Sequence, residues 1–85
     1  MTFELVFSEE ALSALKNLDN ETAKRIIEKL EEASVNPAHF FKRLAGREEY
    51  KLRIGDYRVL ARLFISEKKI FVLSLGHRKN VYKRK

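Results

Sequence analysis

The chain has no cysteine, no tryptophan, one proline and three glycines among its 85 residues. Without cysteine there can be no disulfide, thiolate zinc site, iron–sulfur cluster or thiol nucleophile. That composition fits a reducing, cytoplasmic setting. The three glycines stand far apart, so no glycine-rich nucleotide loop can form. No apolar run approaches the roughly 18 residues of a membrane span. No basic-then-apolar segment opens the chain, so neither a signal peptide nor a membrane partner is expected. No G-x-S-x-G nucleophile motif occurs. The two histidines, His39 and His77, are far apart, and no carboxylate cluster accompanies the basic residues. No metal or other cofactor is therefore expected.

What is present suffices for one core. Hydrophobic residues make up 45% of the sequence, and a chain of this length holds a single domain, residues 1–85. Charge is distributed unevenly within a net +6. Residues 1–40 hold four basic and eight acidic side chains, a net −4. Residues 41–85 hold fourteen basic and four acidic ones, a net +10. The last nine residues, HRKNVYKRK, carry five Lys or Arg and no acid. Such a basic half is the footprint of a polyanion partner, nucleic acid above all.

Periodicity sets the architecture. Phe3, Leu5 and Phe7 alternate with Thr2, Glu4 and Val6, which reads as a strand. Ser8 is placed to cap a helix, and Glu9 and Glu10 suit its positive end. Ala11, Leu12, Leu15 and Leu18 form that helix's apolar stripe. Asp19-Asn20 caps a second helix over residues 21–33, with Ala23, Ile26, Ile27, Leu30 and Ala33 on one side. Asn36-Pro37 ends it. Residues 48–54, 57–65 and 70–75 read as strands, with turns at Gly55-Asp56 and Glu67-Lys68. The expected fold is α+β in the order β-α-α-β-β-β. Two antiparallel helices pack on one face of a mostly antiparallel twisted sheet.

A two-residue turn at Gly55-Asp56 sets Arg53 opposite Arg58, Lys51 opposite Leu60 and Glu49 opposite Arg62. Tyr50, Leu52, Ile54, Tyr57, Val59, Ala61 and Leu63 then share the helix side. Glu49, Lys51, Arg53, Arg58, Leu60 and Arg62 share the other. A slip of one residue would bury the cations, so this register is well specified. Two arginines facing each other across a ladder repel, and a bound polyanion would offset that. Leu60 and Phe64 lie on the same outer side, joined by Phe71 and Leu73 if the second turn also has two residues. Such an exposed apolar patch would receive a protein partner.

This residue set suits phosphodiester cleavage without metal. RNA supplies its own nucleophile, the 2′-hydroxyl. The protein must align it, move two protons and stabilise the charge of the phosphorane-like transition state. Arg53, Arg58 and Arg78 are candidates for that last task, because a guanidinium holds two phosphate oxygens and stays charged. Lys51 can stabilise charge or take a proton, and His77 and Tyr82 are the other groups able to move one. Arg53, Arg62, Lys79, Lys83 and Arg84 would hold the RNA strand.

Three segments, KRLAG at 42–46, YKLRIGDYRVL at 50–60 and SLGHRKNVY at 74–82, together resemble the RelE/ParE toxin superfamily, and within it the RelE-like branch. The resemblance implies the toxin of a type II toxin–antitoxin pair, with the fold derived above. RelE-like members enter the ribosomal A site and cut mRNA by 2′-hydroxyl attack, leaving a 2′,3′-cyclic phosphate without a metal. By position, Lys51, Arg58, Arg78 and Tyr82 match the family's catalytic residues, and Arg53 and His77 match recurrent ones. Glu49 departs from members that carry a second lysine there. The implied partners are the ribosome with its mRNA, and a cognate antitoxin that would dock near Leu60 and Phe64 in a hetero-oligomer. ParE-like members share the fold but inhibit DNA gyrase without cutting RNA. They commonly lack the full set of Lys51, Arg58, Arg78 and Tyr82, which favours the nuclease branch. A third reading is an inert RNA- or antitoxin-binding domain, in which Tyr82→Phe and Arg78→Ala leave growth inhibition intact.

Overall fold

The computed structural model describes residues 2–77. Strand β1 (Glu4–Phe7) leads into helices α1 (Glu9–Lys16) and α2 (Asn20–Ala33). A one-turn helix α3 (Pro37–Phe40) and a two-residue strand β2 (Lys42–Arg43) follow. Strands β3 (Tyr50–Ile54), β4 (Tyr57–Phe64) and β5 (Lys69–His77) complete the sheet. Its spatial order is β1-β5-β4-β3-β2, with β1 parallel to β5 and the other neighbours antiparallel. The α+β layering is the one the periodicity predicts, with α3 and β2 added to it.

Both helix caps form as expected. The Ser8 hydroxyl accepts from the Ala11 N–H at 3.0 Å, and the Asp19 carboxylate accepts from the Thr22 N–H at 3.1 Å. Each satisfies an N–H that the helix's first turn leaves without a partner. Helix α2 buries Ile26, Leu30 and Ala33. They pack in one cluster with Leu52, Ile54, Val59, Ala61, Ile70, Val72 and Leu75 of the sheet. Leu5 and Phe7 of β1, with Phe3 just before it, close that core. Full burial of an Ile or Leu contributes about 1.5–3 kcal/mol relative to exposure. Leu12 departs from the expected stripe, being 45% exposed on the outer side of α1.

The first hairpin has the predicted register, with Arg53 opposite Arg58 and Ile54 opposite Tyr57. Gly55 takes φ +59°, the left-handed conformation that a two-residue turn of this hand needs at its first position. The second hairpin differs. Phe64 pairs with Lys69, so the loop has four residues, 65–68, rather than two. Lys68 adopts φ +57° and its N–H donates to the Ile65 carbonyl at 3.1 Å. Two and four are both even, so the alternation is preserved and Phe71 still faces outward, opposite Arg62.

A bulge then interrupts the β4–β5 ladder: Leu60 pairs with Ser74 while Ala61 pairs with Val72. Leu73 is the extra residue, and it shifts the phase of everything after it. Leu75, opposite Val59, is thereby buried in the core. The Ser8 hydroxyl donates to the Leu73 carbonyl at 2.6 Å, so the residue that caps α1 also anchors the bulge.

Candidate nucleic-acid interface

The strand registers lay the outer face of the sheet out in rows. One row runs Lys42, Lys51, Leu60, Ser74. The next runs Arg53, Arg58, Gly76. A third holds Arg62, Phe71 and Val6. Lys51 and Arg58 are half-buried and Arg53 is exposed. Five cations from three strands, Lys42, Lys51, Arg53, Arg58 and Arg62, therefore share the outer face of the sheet. Two of the cross-strand pairs, Lys42 with Lys51 and Arg53 with Arg58, join like charges. Each such pair destabilises a sheet by about 0.2–1 kcal/mol.

Lys42 is the member the sequence reading missed. Its segment was part of the recognised pattern, but a two-residue strand gives no periodic signal. Only the non-local pairing with Lys51 reveals which face it joins.

The acids beside this face are arranged differently from expectation. Glu49 does not meet Arg62. It pairs with Arg47 at 3.0 Å, while Arg62 forms its ion pair with Glu48. The cause is that β3 begins at Tyr50, so Glu48 and Glu49 lie in the approach to the strand and escape its alternation. The Arg62–Glu48 pair is solvent-exposed, and such pairs contribute little and are readily exchanged. Arg53 donates from Nε to the Gly55 carbonyl at 3.3 Å, which steadies its stem beside the turn.

His77 stands opposite Tyr57, with ring centroids 5.8 Å apart and ring planes at 71°. Tyr57 packs against the core, and opposed residues share a face. The bulge thus brings His77 to the helix side, out of phase with Lys51 and Arg58. Arg78, Lys79, Tyr82, Lys83 and Arg84 lie outside the described residues.

The apolar part of the face is also in place. Leu60 is half-buried between Lys51 and Ser74, and Phe64 is 40% exposed at the far end of β4. Phe71 and Leu73 are half-buried on β5. Among the described residues no group of three His, Asp or Glu side chains is placed to hold a metal ion. No helix among them is long and apolar enough to cross a membrane. Chemically, the face offers positive charge at strand spacing, fixed by a paired backbone, beside an apolar strip.

Residues 5–82 match the family model described as the ParE toxin of the type II toxin–antitoxin system, parDE. No curated protein matches the chain. Several solved structures resemble it. The toxin–antitoxin complex RelBE2 from Mycobacterium tuberculosis superposes with a TM-score of 0.82 at 22% identity, covering 92% of this chain and 100% of that one. The archaeal RelE–RelB complex from Pyrococcus horikoshii gives 0.78 at 26% identity, covering 94% and 99%. The isolated RelE toxin of E. coli gives 0.76 at 27% identity, covering 95% and 92%.

Proposed function

The chain belongs to the ParE toxin family of type II toxin–antitoxin systems, within the RelE/ParE superfamily, and we propose that it is a RelE-like endoribonuclease that cuts mRNA on the ribosome. The observation that carries this reading is the shared outer face of Lys51, Arg53 and Arg58. A strand of RNA laid across it would relieve two like-charge contacts and place a phosphate between guanidinium and ammonium groups.

The step itself conserves atoms and charge. The 2′-oxygen bonds to phosphorus as the bond from phosphorus to the 5′-oxygen breaks. One proton leaves the 2′-hydroxyl for a base and another reaches the departing 5′-oxygen. The products are a 2′,3′-cyclic phosphate and a 5′-hydroxyl. Arg58 and Arg78 would hold the non-bridging oxygens, whose charge grows in the transition state. Lys51, His77 and Tyr82 are the groups able to carry the two protons. With His77 beside Tyr57, Lys51 and Tyr82 are the stronger pair. Arg53, Arg62, Lys79, Lys83 and Arg84 would track the strand. A cognate antitoxin would cover the strip of Leu60 and Phe64, in a cytoplasmic hetero-oligomer.

In-vitro translation followed by primer extension on the message tests this. Cuts within the A-site codon are expected. Arg58→Ala should reduce them about 10²–10³-fold, the usual effect of removing one group that stabilises transition-state charge. Uncut message in the presence of wild-type protein would overturn the proposal. The family match itself favours one other reading, a gyrase inhibitor with the same fold, because that match is to the ParE toxin. Intact message together with trapped gyrase–DNA complexes would establish it.

A further inference from the structure

A second feature lies at the edge of the sheet, where β2 stops after two residues and leaves β3 beside α2 and α3. A cavity of about 210 Å³ opens there, lined by Lys29, His39, Phe40, Lys42, Lys51 and Arg53, with Leu52 at its floor. It is smaller than a pocket for a whole ligand, which suits one group of a longer molecule. Other cavities mix charges: one that shares Lys29 and Arg53 includes Glu28 and Glu32, another Glu48. This one has four cations and no carboxylate among its described lining residues.

The lining has two chemistries side by side. The His39 and Phe40 rings meet edge to face at 4.9 Å, and His39 is exposed. Lys29 holds its ammonium 5.1 Å from the centre of the Phe40 ring, with only a long 3.5 Å contact to Glu32. Around these rings stand Lys42, Lys51 and Arg53, three of the five cations of the outer face. An exposed ring held edge to face by a second, beside a cationic track, is what a single-stranded nucleic acid needs. A base stacks on the exposed ring while phosphates meet the cations.

We propose that this edge cavity is a subsite for a nucleotide of single-stranded RNA flanking the one held at Arg58, with its base stacked on His39, which Phe40 supports edge to face, and its phosphate at Lys29 and Lys42. The inference rests on the reading of the outer face as an RNA surface. Lys51 and Arg53 belong to both places, so the strand passes from one to the other without leaving positive charge.

Fluorescence anisotropy with 2′-O-methyl RNA tests it, because such oligomers lack the nucleophile and report binding alone. The full-length protein is titrated at low salt with a hexamer and a dinucleotide. His39→Ala should weaken the hexamer about tenfold, within the range for loss of one stacked base. Lys29→Gln should lower the slope of log affinity against log salt by about 0.7, the loss of one phosphate contact. Both should leave the dinucleotide unaffected. Both residues are at the surface, and thermal melting confirms that the variants fold. Wild-type hexamer affinity in both variants, with Arg58→Ala still weakening it, would overturn the subsite and leave the RNA face standing. Equal affinity for hexaglutamate would overturn the nucleotide assignment in favour of an acidic peptide. Indifference of the hexamer to Arg58→Ala and Lys51→Ala would remove both readings together.

Discussion

At the scale of the residue, the outer face trades stability for charge. Arg53 repels Arg58 across the ladder, and Arg53 itself is exposed. Arg53→Thr removes the repulsion and places a good strand former at an exposed position. We expect it to melt higher, by up to about 1 kcal/mol of stability, and to inhibit translation less. A variant that melts lower and cuts as well as wild type would contradict this account of the face. Asp19 shows the opposite economy, a charge placed for the fold alone. Its carboxyl is held below its ordinary value of 3.8, chiefly by the hydrogen bond from the Thr22 hydroxyl and then by the Thr22 N–H. The folded state therefore takes up this proton less readily than the unfolded state. The resulting stabilisation is complete above pH about 4 and is lost as pH falls through the lower folded-state value. Asp19→Asn keeps a capping oxygen but not the charge. Its melting temperature should lie below wild type at neutral pH, and the gap should narrow below pH 4. A constant gap across that range would show that the charge adds nothing.

At the scale of the element, the bulge at Leu73 decides which side chains after it face the helices. Its carbonyl is held by the same hydroxyl that caps α1. Ser8→Ala removes both bonds. Loss of the cap costs about 1 kcal/mol, and a carbonyl left without its donor adds about 1–3 kcal/mol where it is out of solvent. For a domain of this size each kcal/mol lowers the melting temperature by about 4–8 °C. A drop of only about 4–8 °C, the share of the cap alone, would mean that water replaces the hydroxyl at Leu73. This element also marks where sequence reasoning stopped. The Gly55 hairpin was legible to the residue, because only one register buries Leu52, Ile54, Val59 and Ala61 while leaving the cations outside. The caps were legible because they are local. The bulge was not, since alternation carries no mark of an inserted residue until its partner strand is known, and so the side on which His77 would stand could not be read. The four-residue loop at 65–68 was shortened for a related reason: Ile65 reads as strand, yet it is 62% exposed in the loop. Strand β2 and the edge cavity were invisible because they arise from contacts between distant segments.

At the scale of the whole molecule, the uneven charge of the sequence becomes a separation of layers. Lys42, Lys51, Arg53, Arg58 and Arg62 face outward from the sheet, while Glu21 and Glu31 lie exposed on α2, which packs on the sheet's other face. The molecule measures 33 × 28 × 22 Å, so its shortest dimension exceeds two screening lengths at physiological ionic strength, where one is about 8 Å. Glu28 and Glu32 share a cavity with Arg53, but Glu21 and Glu31 line neither that cavity nor the edge cavity and should act independently of the outer face. If Lys42, Lys51, Arg53 and Arg58 each neutralise one phosphate, log affinity for single-stranded RNA should fall against log salt with a slope of about −3, at about −0.7 per contact. Glu21→Gln with Glu31→Gln changes net charge by two but touches no phosphate. At physiological salt the double variant should bind RNA with wild-type affinity and slope, whereas neutralising Lys42 alone should flatten the slope by about 0.7. If the helix variant tightened binding as much as removing Lys42 weakened it, net charge would govern the affinity, and the geometry of the outer face would have no special part in it.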